Sequence, residues 1–176
     1  MTKTRLTQQD WIDAGFLALK AQGPAALKAE PLARALNTTK GSFYWHFRDV
    51  PAFQNQMLTH WEEAALTGLI AEIEEQNTAH TALQKFVHLV ADPQGATTAV
   101  RAWAQSDPSV ANALAEIDNA RLKYLAALLK RAGVSNPDIA KALYAAAIGA
   151  QILPQTEAGA TQASLDTMID LILALR

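Results

Sequence analysis

The 176-residue chain contains no cysteine, which excludes disulfide bonds, thiolate catalysis and cysteine-ligated metal sites. Long apolar runs are also missing. The longest lie near 142–150 and 171–175, well short of the roughly 20 residues that a membrane-spanning helix requires. The first ten residues, MTKTRLTQQD, are basic but lack the apolar core of a signal peptide. We therefore expect a soluble, cytoplasmic protein.

Signatures of catalysis and metal binding are absent as well. The sequence shows no Ser–His–acid order, no glycine-rich phosphate loop and no paired-carboxylate pattern, so we do not expect an enzyme. His60, His80 and His88 have no carboxylate at convincing ligand spacing along the chain. We expect neither a metal nor another cofactor.

Alternating β-branched runs bounded by turn clusters do not occur, which argues against a sheet. Half of the residues are hydrophobic, and the helix formers Ala and Leu dominate among them. Capping residues and prolines divide the chain into about nine segments, so we expect an all-α protein. The predicted helices lie at about 8–22, 29–36, 40–46, 50–76, 81–91, 97–105, 108–132, 137–154 and 161–176.

The stretch 27–47, LKAEPLARALNTTKGSFYWHF, predicts two short helices joined by a tight turn. Leu32 and Leu36 belong to an apolar stripe at helical spacing. Asn37 follows where the chain must turn, and Asn tolerates the left-handed conformation well. Thr39 can then cap the next helix. This is the layout of a helix-turn-helix, whose second helix enters the major groove of DNA by its N-terminal residues.

The run TTKGSFYWHFRD, preceded by LARALN and by a helix that ends at Gly23, resembles the N-terminal domain of the TetR/AcrR transcriptional regulators. The aromatic–Trp–His–Phe ending of the recognition helix is specific to that family. Farther along, the run RAWAQSDPSV and the segment 121–124 are also similar to members of it. The resemblance implies a three-helix DNA-binding domain over residues 1–50 and a helical ligand-binding and dimerisation domain over 51–176.

The net charge of −2 is unevenly distributed. Residues 1–50 carry seven Lys and Arg against four acidic residues, whereas the rest carries eight against thirteen. Affinity for nucleic acid depends on local phosphate neutralisation, so the N-terminal excess is the relevant quantity. By itself such an excess also fits ordinary surface variation, and it supports DNA binding only together with the helix-turn-helix.

Most polar residues of the recognition helix are candidates for DNA contacts, because side chains at its start can reach base edges or phosphates. Trp45 either contacts DNA or packs against the following helix, and His46 either contacts DNA or caps its own helix. Phe43 and Phe47 are predicted to face the core. The predicted DNA-binding residues are Lys28, Arg34, Thr39, Lys40, Gly41, Ser42, Tyr44, Trp45, His46 and Arg48.

Two positions depart from the pattern of the family. Val50 stands where the family often has a phosphate-binding Lys, and Arg48 can substitute from two residues earlier. At the start of the second helix, where the family often has a basic or hydroxyl residue that meets the DNA backbone, this chain has Ala29 and Glu30. Glu30 would repel phosphate unless it points away or accepts a hydrogen bond from a cytosine amino group. Lys28 and Arg34 are close enough in sequence to compensate.

The resemblance implies an effector pocket in the larger domain, which the sequence marks weakly. Phe86, Trp103, Tyr124 and Tyr144 are candidate lining residues, and His88 and Gln151 are candidate polar anchors. Each of the six residues also fits an ordinary place in the core.

Two late segments, near 137–154 and 161–176, contain KALYAAAIGAQIL and MIDLILALR, which are apolar on most helical faces. They either close the monomer core or meet their symmetry mates in a four-helix dimer interface. A dimer would serve DNA binding, because two recognition helices must reach major grooves about 34–36 Å apart.

The sequence therefore predicts a homodimeric TetR-like DNA-binding regulator, a repressor released from a palindromic operator by a small-molecule effector. The alternative is an all-α dimeric ligand- or partner-binding protein whose DNA-reading surface has decayed. Val50, Glu30 and the acidic larger domain motivate this alternative.

Overall fold

The computed structural model describes residues 6–153 and 159–175, and all regular elements in these ranges are helical. The α-helical segments are α1 Gln8–Gln22, α2 Ala29–Ala35, α3 Lys40–Tyr44, α4 Val50–Glu63, α5 Leu69–Glu74, α6 Ala79–Ala91, α7 Ala96–Trp103, α8 Pro108–Arg131, α9 Pro137–Ala150 and α10 Ala160–Ala174. A π-helical turn, Ala64–Gly68, joins α4 to α5 without a break, so the described residues form nine continuous α-helices. The prediction of an all-α fold with about nine helices is confirmed.

Some predicted features fall outside the described residues. They are Lys3 and Arg5, which contribute to the N-terminal charge, and positions 154 and 176, which end the two predicted interface segments.

The chain divides into two compact units. The first comprises the residues up to Glu63 together with Ala99–Leu114, and the second comprises Ala64–Thr98 together with the residues from Ala115 onward. The assignment of residues 1–50 to DNA binding and of 51–176 to ligand binding and dimerisation concerns function and stays a prediction.

Local capping explains where several helices begin. The Thr7 hydroxyl accepts a hydrogen bond from the Asp10 backbone N–H, and the Asp10 carboxylate accepts one from the Thr7 N–H, which makes a capping box for α1. The Asp49 carboxylate accepts from the Ala52 N–H at 2.8 Å at the start of α4. Asn136 caps α9 in the same manner. These three helix starts, which were predicted from the sequence, are confirmed.

Aromatic rings fill the core of the first unit. Phe43 is fully buried, and its ring centroid lies 5.4 Å from that of Trp11, 5.4 Å from that of Phe53 and 5.1 Å from that of Phe47. The first and second of these contacts are edge-to-face, the favoured geometry for aromatic pairs. The prediction that Phe43 and Phe47 face the core is confirmed.

The core of the second unit is mainly aliphatic. In it α6 packs against both α9 and α10. Leu83 and Phe86 of α6, Leu143 and Ala147 of α9 and Ile169 of α10 are all fully buried or nearly so. None of the described helices combines the length and the apolarity that crossing a bilayer requires.

Gly15 of α1 yields a test of packing in the first unit. A Cβ atom at this position would lie 2.6 Å from both Met57 Sδ and Phe53 Cζ. The Met57 side chain can shift, whereas the Phe53 ring is rigid and fully buried. Gly15→Ala should therefore destabilise the protein by about 1–2 kcal/mol, even though Ala is the better helix former.

Gly68→Ala is the matched control, because Gly68 also has helical dihedral angles but a Cβ there would meet nothing within 4 Å. It should be neutral or slightly stabilising. Urea unfolding of the wild type and both variants measures the difference. A Gly15→Ala protein as stable as the Gly68→Ala protein would contradict the close packing of α1 on α4.

Candidate nucleic-acid interface

α2, the intervening turn and α3 form a helix-turn-helix. Leu32 of α2 is fully buried, and Asn37 in the turn has a φ of 50°, which is in the left-handed region. The Thr39 hydroxyl accepts a hydrogen bond from the Ser42 backbone N–H at 3.3 Å and so caps α3. The turn at Asn37 and the cap at Thr39 are as predicted, and they set the direction in which α3 leaves α2.

α3 has one buried and one open face. Phe43 points into the core, whereas the side chains of Lys40 and Tyr44 are exposed. Trp45, directly after α3, is 83% exposed, which excludes the alternative that it packs against α4. The His46 ring lies 6.4 Å from the Trp11 ring and makes no hydrogen bond to any residue that the structure describes, so nothing supports its capping role.

A cleft of about 380 Å³ opens beside α3. It is lined by Lys28, Ala29, Glu30, Pro31, Arg34, Lys40, Tyr44 and Val50. Three cations, one carboxylate and the Tyr44 ring therefore share one surface. Both departures from the family pattern, Glu30 and Val50, lie in this cleft, and a side-chain oxygen of Glu30 is 3.5 Å from a guanidinium nitrogen of Arg34.

Arg48 stands next to the start of α4. Its Nε donates a hydrogen bond to Asp49 Oδ2 at 2.9 Å, and its side chain is 87% exposed. The Ala52 backbone N–H and the Arg48 guanidinium together hold the pKa of the Asp49 carboxyl below its usual value. Arg48 was predicted to substitute for the phosphate-binding Lys of the family, whose position Val50 occupies here. The Arg48 side chain is paired with Asp49, the residue that caps α4.

Three of the predicted ligand-contact residues lie together in the second unit. The Phe86 ring centroid is 6.3 Å from that of Tyr124 and 6.2 Å from that of Tyr144. The Tyr124 hydroxyl donates to Glu74 Oε1 at 2.6 Å, and the Tyr144 hydroxyl donates to Asp118 Oδ1 at 2.8 Å. Burial, reinforced by the neighbouring carboxylate, raises the pKa of each phenol to about 12. Both are therefore neutral hydrogen-bond donors at ordinary pH.

The other predicted ligand-contact residues have separate surroundings. His88 Nε2 lies 2.8 Å from Asp166 Oδ1, and the Gln151 amide donates to the Val90 carbonyl. Trp103 is buried in the first unit, whereas the remaining five candidates belong to the second.

The sequence did not reveal carboxylate partners for His80 and His88, yet the structure provides one for each. Asp170 Oδ1 lies 2.8 Å from His80 Nε2, and Asp166 pairs with His88 at the same distance. Both partners come from α10, 90 and 78 residues farther along the chain. A search for ligands at local spacing cannot find such pairs.

Arg121 is a second feature that sequence reasoning missed. Among the described residues it is the one charged residue in the buried class, with 4% of its surface exposed. Its Nε donates to the Ala65 carbonyl, in the π-helical turn, at 2.8 Å, and a terminal nitrogen lies 3.5 Å from Thr97 Oγ1. The spacing of apolar residues could have indicated its burial. Arg121 lies four residues from buried Ile117 and four from buried Leu125, so the three share one face of the helix.

A helix-turn-helix lies in one compact unit, and the described part of the second unit is also helical. The family model described as bacterial regulatory proteins, tetR family, matches residues 12–49, which cover most of α1, all of α2 and α3, and the cap of α4. Over these residues the chain is similar to the DNA-binding domain of that family. A comparison with curated proteins gave no match.

Solved structures share the fold over nearly the whole chain. A transcriptional regulator from Rhodococcus sp. Rha1 has a TM-score of 0.74 at 19% identity, with 96% of this chain and 97% of that one covered. A TetR/AcrR-family regulator from Thermobifida fusca has a TM-score of 0.65 at 13% identity, with 94% and 96% covered. A protein assigned as a transcriptional regulator from Saccharomonospora viridis, in complex with choline, has a TM-score of 0.73 at 14% identity, with 95% of each chain covered.

The raised pKa of Tyr144 predicts how stability changes at high pH. An unfolded tyrosine ionises near pH 10, whereas folded Tyr144 keeps its proton to about pH 12, so unfolding releases a proton between these values. This contribution to stability is complete below pH 10 and is lost as the pH rises towards 12. The loss amounts to at most about 1.4 kcal/mol per pH unit.

Urea unfolding of the wild type and of Tyr144→Phe at pH 9 to 11 measures this slope. The variant should be less stable at pH 9, because the hydrogen bond from the Tyr144 hydroxyl to Asp118 is lost, but its stability should fall less steeply with pH. Parallel pH profiles for the two proteins would show that the Tyr144 pKa is not raised.

Proposed function

We propose that this protein is a homodimeric repressor that binds a palindromic operator through α3 and leaves it when a small molecule binds the second unit. The observation that carries the proposal is the division of α3 into two faces. Phe43 anchors one face in the core, and the other face presents Lys40, Tyr44 and the adjacent Trp45 to solvent. A helix so presented is suited to enter the major groove.

The proposed contacts divide by chemistry. Lys40 and Tyr44, on the open face, are suited to contact base edges and the sugar–phosphate backbone. Lys28 and Arg34, on the cleft beside α3, are suited to bind phosphate. The proposed DNA-binding set is completed by Thr39, Gly41, Ser42, Trp45, His46 and Arg48.

Dimerisation through α9 and α10 is supported by apolar surface on these helices. Ile152, two residues after the end of α9, is 79% exposed. Leu171 on α10 and Leu175 at its end are 60% and 86% exposed. Ala142 and Ala145 of α9 are exposed as well, and such small side chains allow a partner helix to approach closely. Burying these side chains against a second copy would stabilise the pair of recognition helices that a palindrome requires.

The effector is proposed to bind in the second unit beside Phe86, Tyr124 and Tyr144. Aromatic rings with hydroxyl groups combine apolar surface with the few directed polar groups typical of small-molecule sites. His88 and Gln151 could add polar contacts by exchanging their present partners, and the role of Trp103 rests on the resemblance alone. The choline complex of the structurally similar S. viridis protein supports small-molecule binding by this fold.

Release of the operator sets a thermodynamic condition. An effector can lower operator affinity only if it binds the DNA-free form more tightly than the DNA-bound form, and the two affinities change by the same factor. A compound that binds both forms equally would be a ligand of the protein but not an inducer.

A second candidate function is a dimeric ligand- or partner-binding protein that has lost specific DNA binding. The presence of both Glu30 and Val50 in the cleft beside α3 favours it, because they replace positive or hydroxyl groups with a negative and an apolar one. Selection of binding sites from random duplex DNA at near-physiological salt separates the two functions. Enrichment of a two-fold symmetric site supports the repressor, and folded protein that enriches no sequence supports the alternative.

The selected operator allows a test of the α3 contacts. Lys40→Ala and Tyr44→Ala should each weaken operator binding by about 1–3 kcal/mol, because each removes a proposed contact of the open face. Lys130→Ala, which removes one exposed charge on α8 in the second unit, is the control and should leave the affinity unchanged. Fluorescence anisotropy with labelled operator gives the three affinities. Wild-type affinity in both α3 variants would exclude the proposed docking.

The dimer has its own test. Leu171→Arg places a charge on the proposed interface, and because Leu171 is largely exposed in the monomer the substitution should leave the fold intact. Sedimentation equilibrium should show a shift from dimer to monomer at micromolar concentration. Leu17→Arg is the matched control, because Leu17 is similarly exposed but lies on α1 in the first unit. Identical association of wild type and both variants would rule out the proposed interface.

A further inference from the structure

The cleft beside α3 contains a negative charge among its cations. Lys28, Arg34 and Lys40 line it together with Glu30, whose carboxylate lies 3.5 Å from the Arg34 guanidinium. Lys28 and Lys40 make no ion pair with any residue that the structure describes. Glu30 therefore balances one of three positive charges on a surface that faces solvent.

The pairing of Glu30 with Arg34 is not explained by burial. The side chains of Glu30 and Arg34 are 70% and 82% exposed, so their pairing adds little to the stability of α2. Each charge can therefore exchange its partner at a small free-energy cost. An exposed Arg that is held only by such a pair can move to a phosphate, but the carboxylate then stays beside that phosphate and repels it.

Asp49 makes a useful contrast, because it also pairs with an arginine, Arg48, on this unit. One oxygen of Asp49 accepts from the Ala52 backbone N–H and the other from Arg48, so this carboxylate holds the start of α4. Glu30 accepts no backbone hydrogen bond among the described residues. Its charge can be removed without removing a helix cap.

We infer that Glu30 competes with DNA phosphate for the cations of this cleft, Arg34 foremost, and so weakens the sequence-independent part of DNA binding. The inference rests on the proposed DNA-binding function. Phosphate contacts supply nearly all non-specific affinity, whereas base contacts supply discrimination. With Glu30 present, occupancy of an operator depends more on the base contacts of α3, and the protein is held less on other DNA.

The test is Glu30→Gln, which removes the charge and keeps the shape. Binding to the selected operator and to a random-sequence duplex of equal length should both tighten about three- to tenfold at 100 mM salt. If freed Arg34 takes up one more phosphate, the salt slope should steepen by about 0.9. The gain should then be about three- to fourfold larger at 50 mM than at 200 mM salt.

Glu63→Gln is the matched control. Glu63 is exposed at the far end of α4, about 20 Å along the helix axis from Val50 in the cleft, and its replacement changes the net charge by the same amount. It should leave affinity and salt slope close to those of the wild type, because screening is strong over this distance. Equal gains in the two variants would mean that net charge, and not Glu30, is responsible, and would overturn the inference.

The remaining outcomes separate the inference from the proposed function. If the wild type binds its operator and Glu30→Gln binds no better, the inference is wrong and the repressor function stands. If Glu30→Gln binds the operator more weakly and the random duplex equally, Glu30 reads a base, and the inference is again wrong. If only Glu30→Gln binds DNA, the inference holds and the wild type is not a repressor. If neither protein binds DNA, both proposals fail.

Discussion

α3 contains five residues, whereas an isolated helix shorter than about 12–15 residues is marginal in water. Its conformation therefore depends on the burial of Phe43 between Trp11 and Phe53. Burying a phenylalanine contributes about 1.5–3 kcal/mol, and edge-to-face pairs add about 0.5–1.5 kcal/mol. The Thr39 cap contributes only about 1 kcal/mol. Packing of Phe43 therefore contributes more to the stability of α3 than the Thr39 cap does. The buried face of α3 fixes the position of its solvent-exposed face.

This dependence links the helix-turn-helix to the rest of its unit. Trp11 comes from α1 and Phe53 from α4, so the orientation of α3 is set by two helices that themselves start at well-capped residues, Thr7 and Asp49. The close approach of α1 to α4 at Gly15 belongs to the same arrangement. A substitution at any of these contacts would therefore alter the orientation of the open face of α3, even though it replaces no residue on that face.

Local features of this fold could be predicted from the sequence, and long-range ones could not. The caps at Thr7, Thr39 and Asn136 and the turn at Asn37 depend on residues within four positions, so single-sequence patterns reveal them. The π-helical turn has no such signature. Its Ala65 carbonyl accepts from Arg121, 56 residues away, and an extra residue in a helical turn leaves a carbonyl without its usual partner.

The same limit explains the uneven prediction of the candidate sites. On α3, periodicity and resemblance agree, so the buried Phe43 and exposed Tyr44 could be assigned before the structure was known. In the second unit, an aromatic residue in the sequence is equally compatible with the hydrophobic core and with a ligand pocket. Only tertiary contacts bring Tyr124 and Tyr144 to the same ring of Phe86, and only they supply the carboxylates that accept from the two hydroxyl groups.

The four tryptophans are distributed unequally, which has a spectroscopic consequence. Trp11, Trp45, Trp61 and Trp103 all belong to the first unit, and the described part of the second unit contains none. Trp45 is 83% exposed, whereas the other three are at most 3% exposed. The long-wavelength edge of the intrinsic emission, and its quenching by acrylamide, therefore come chiefly from a single indole beside α3. The native chain thus carries its own fluorophore at the end of α3 and needs no added dye.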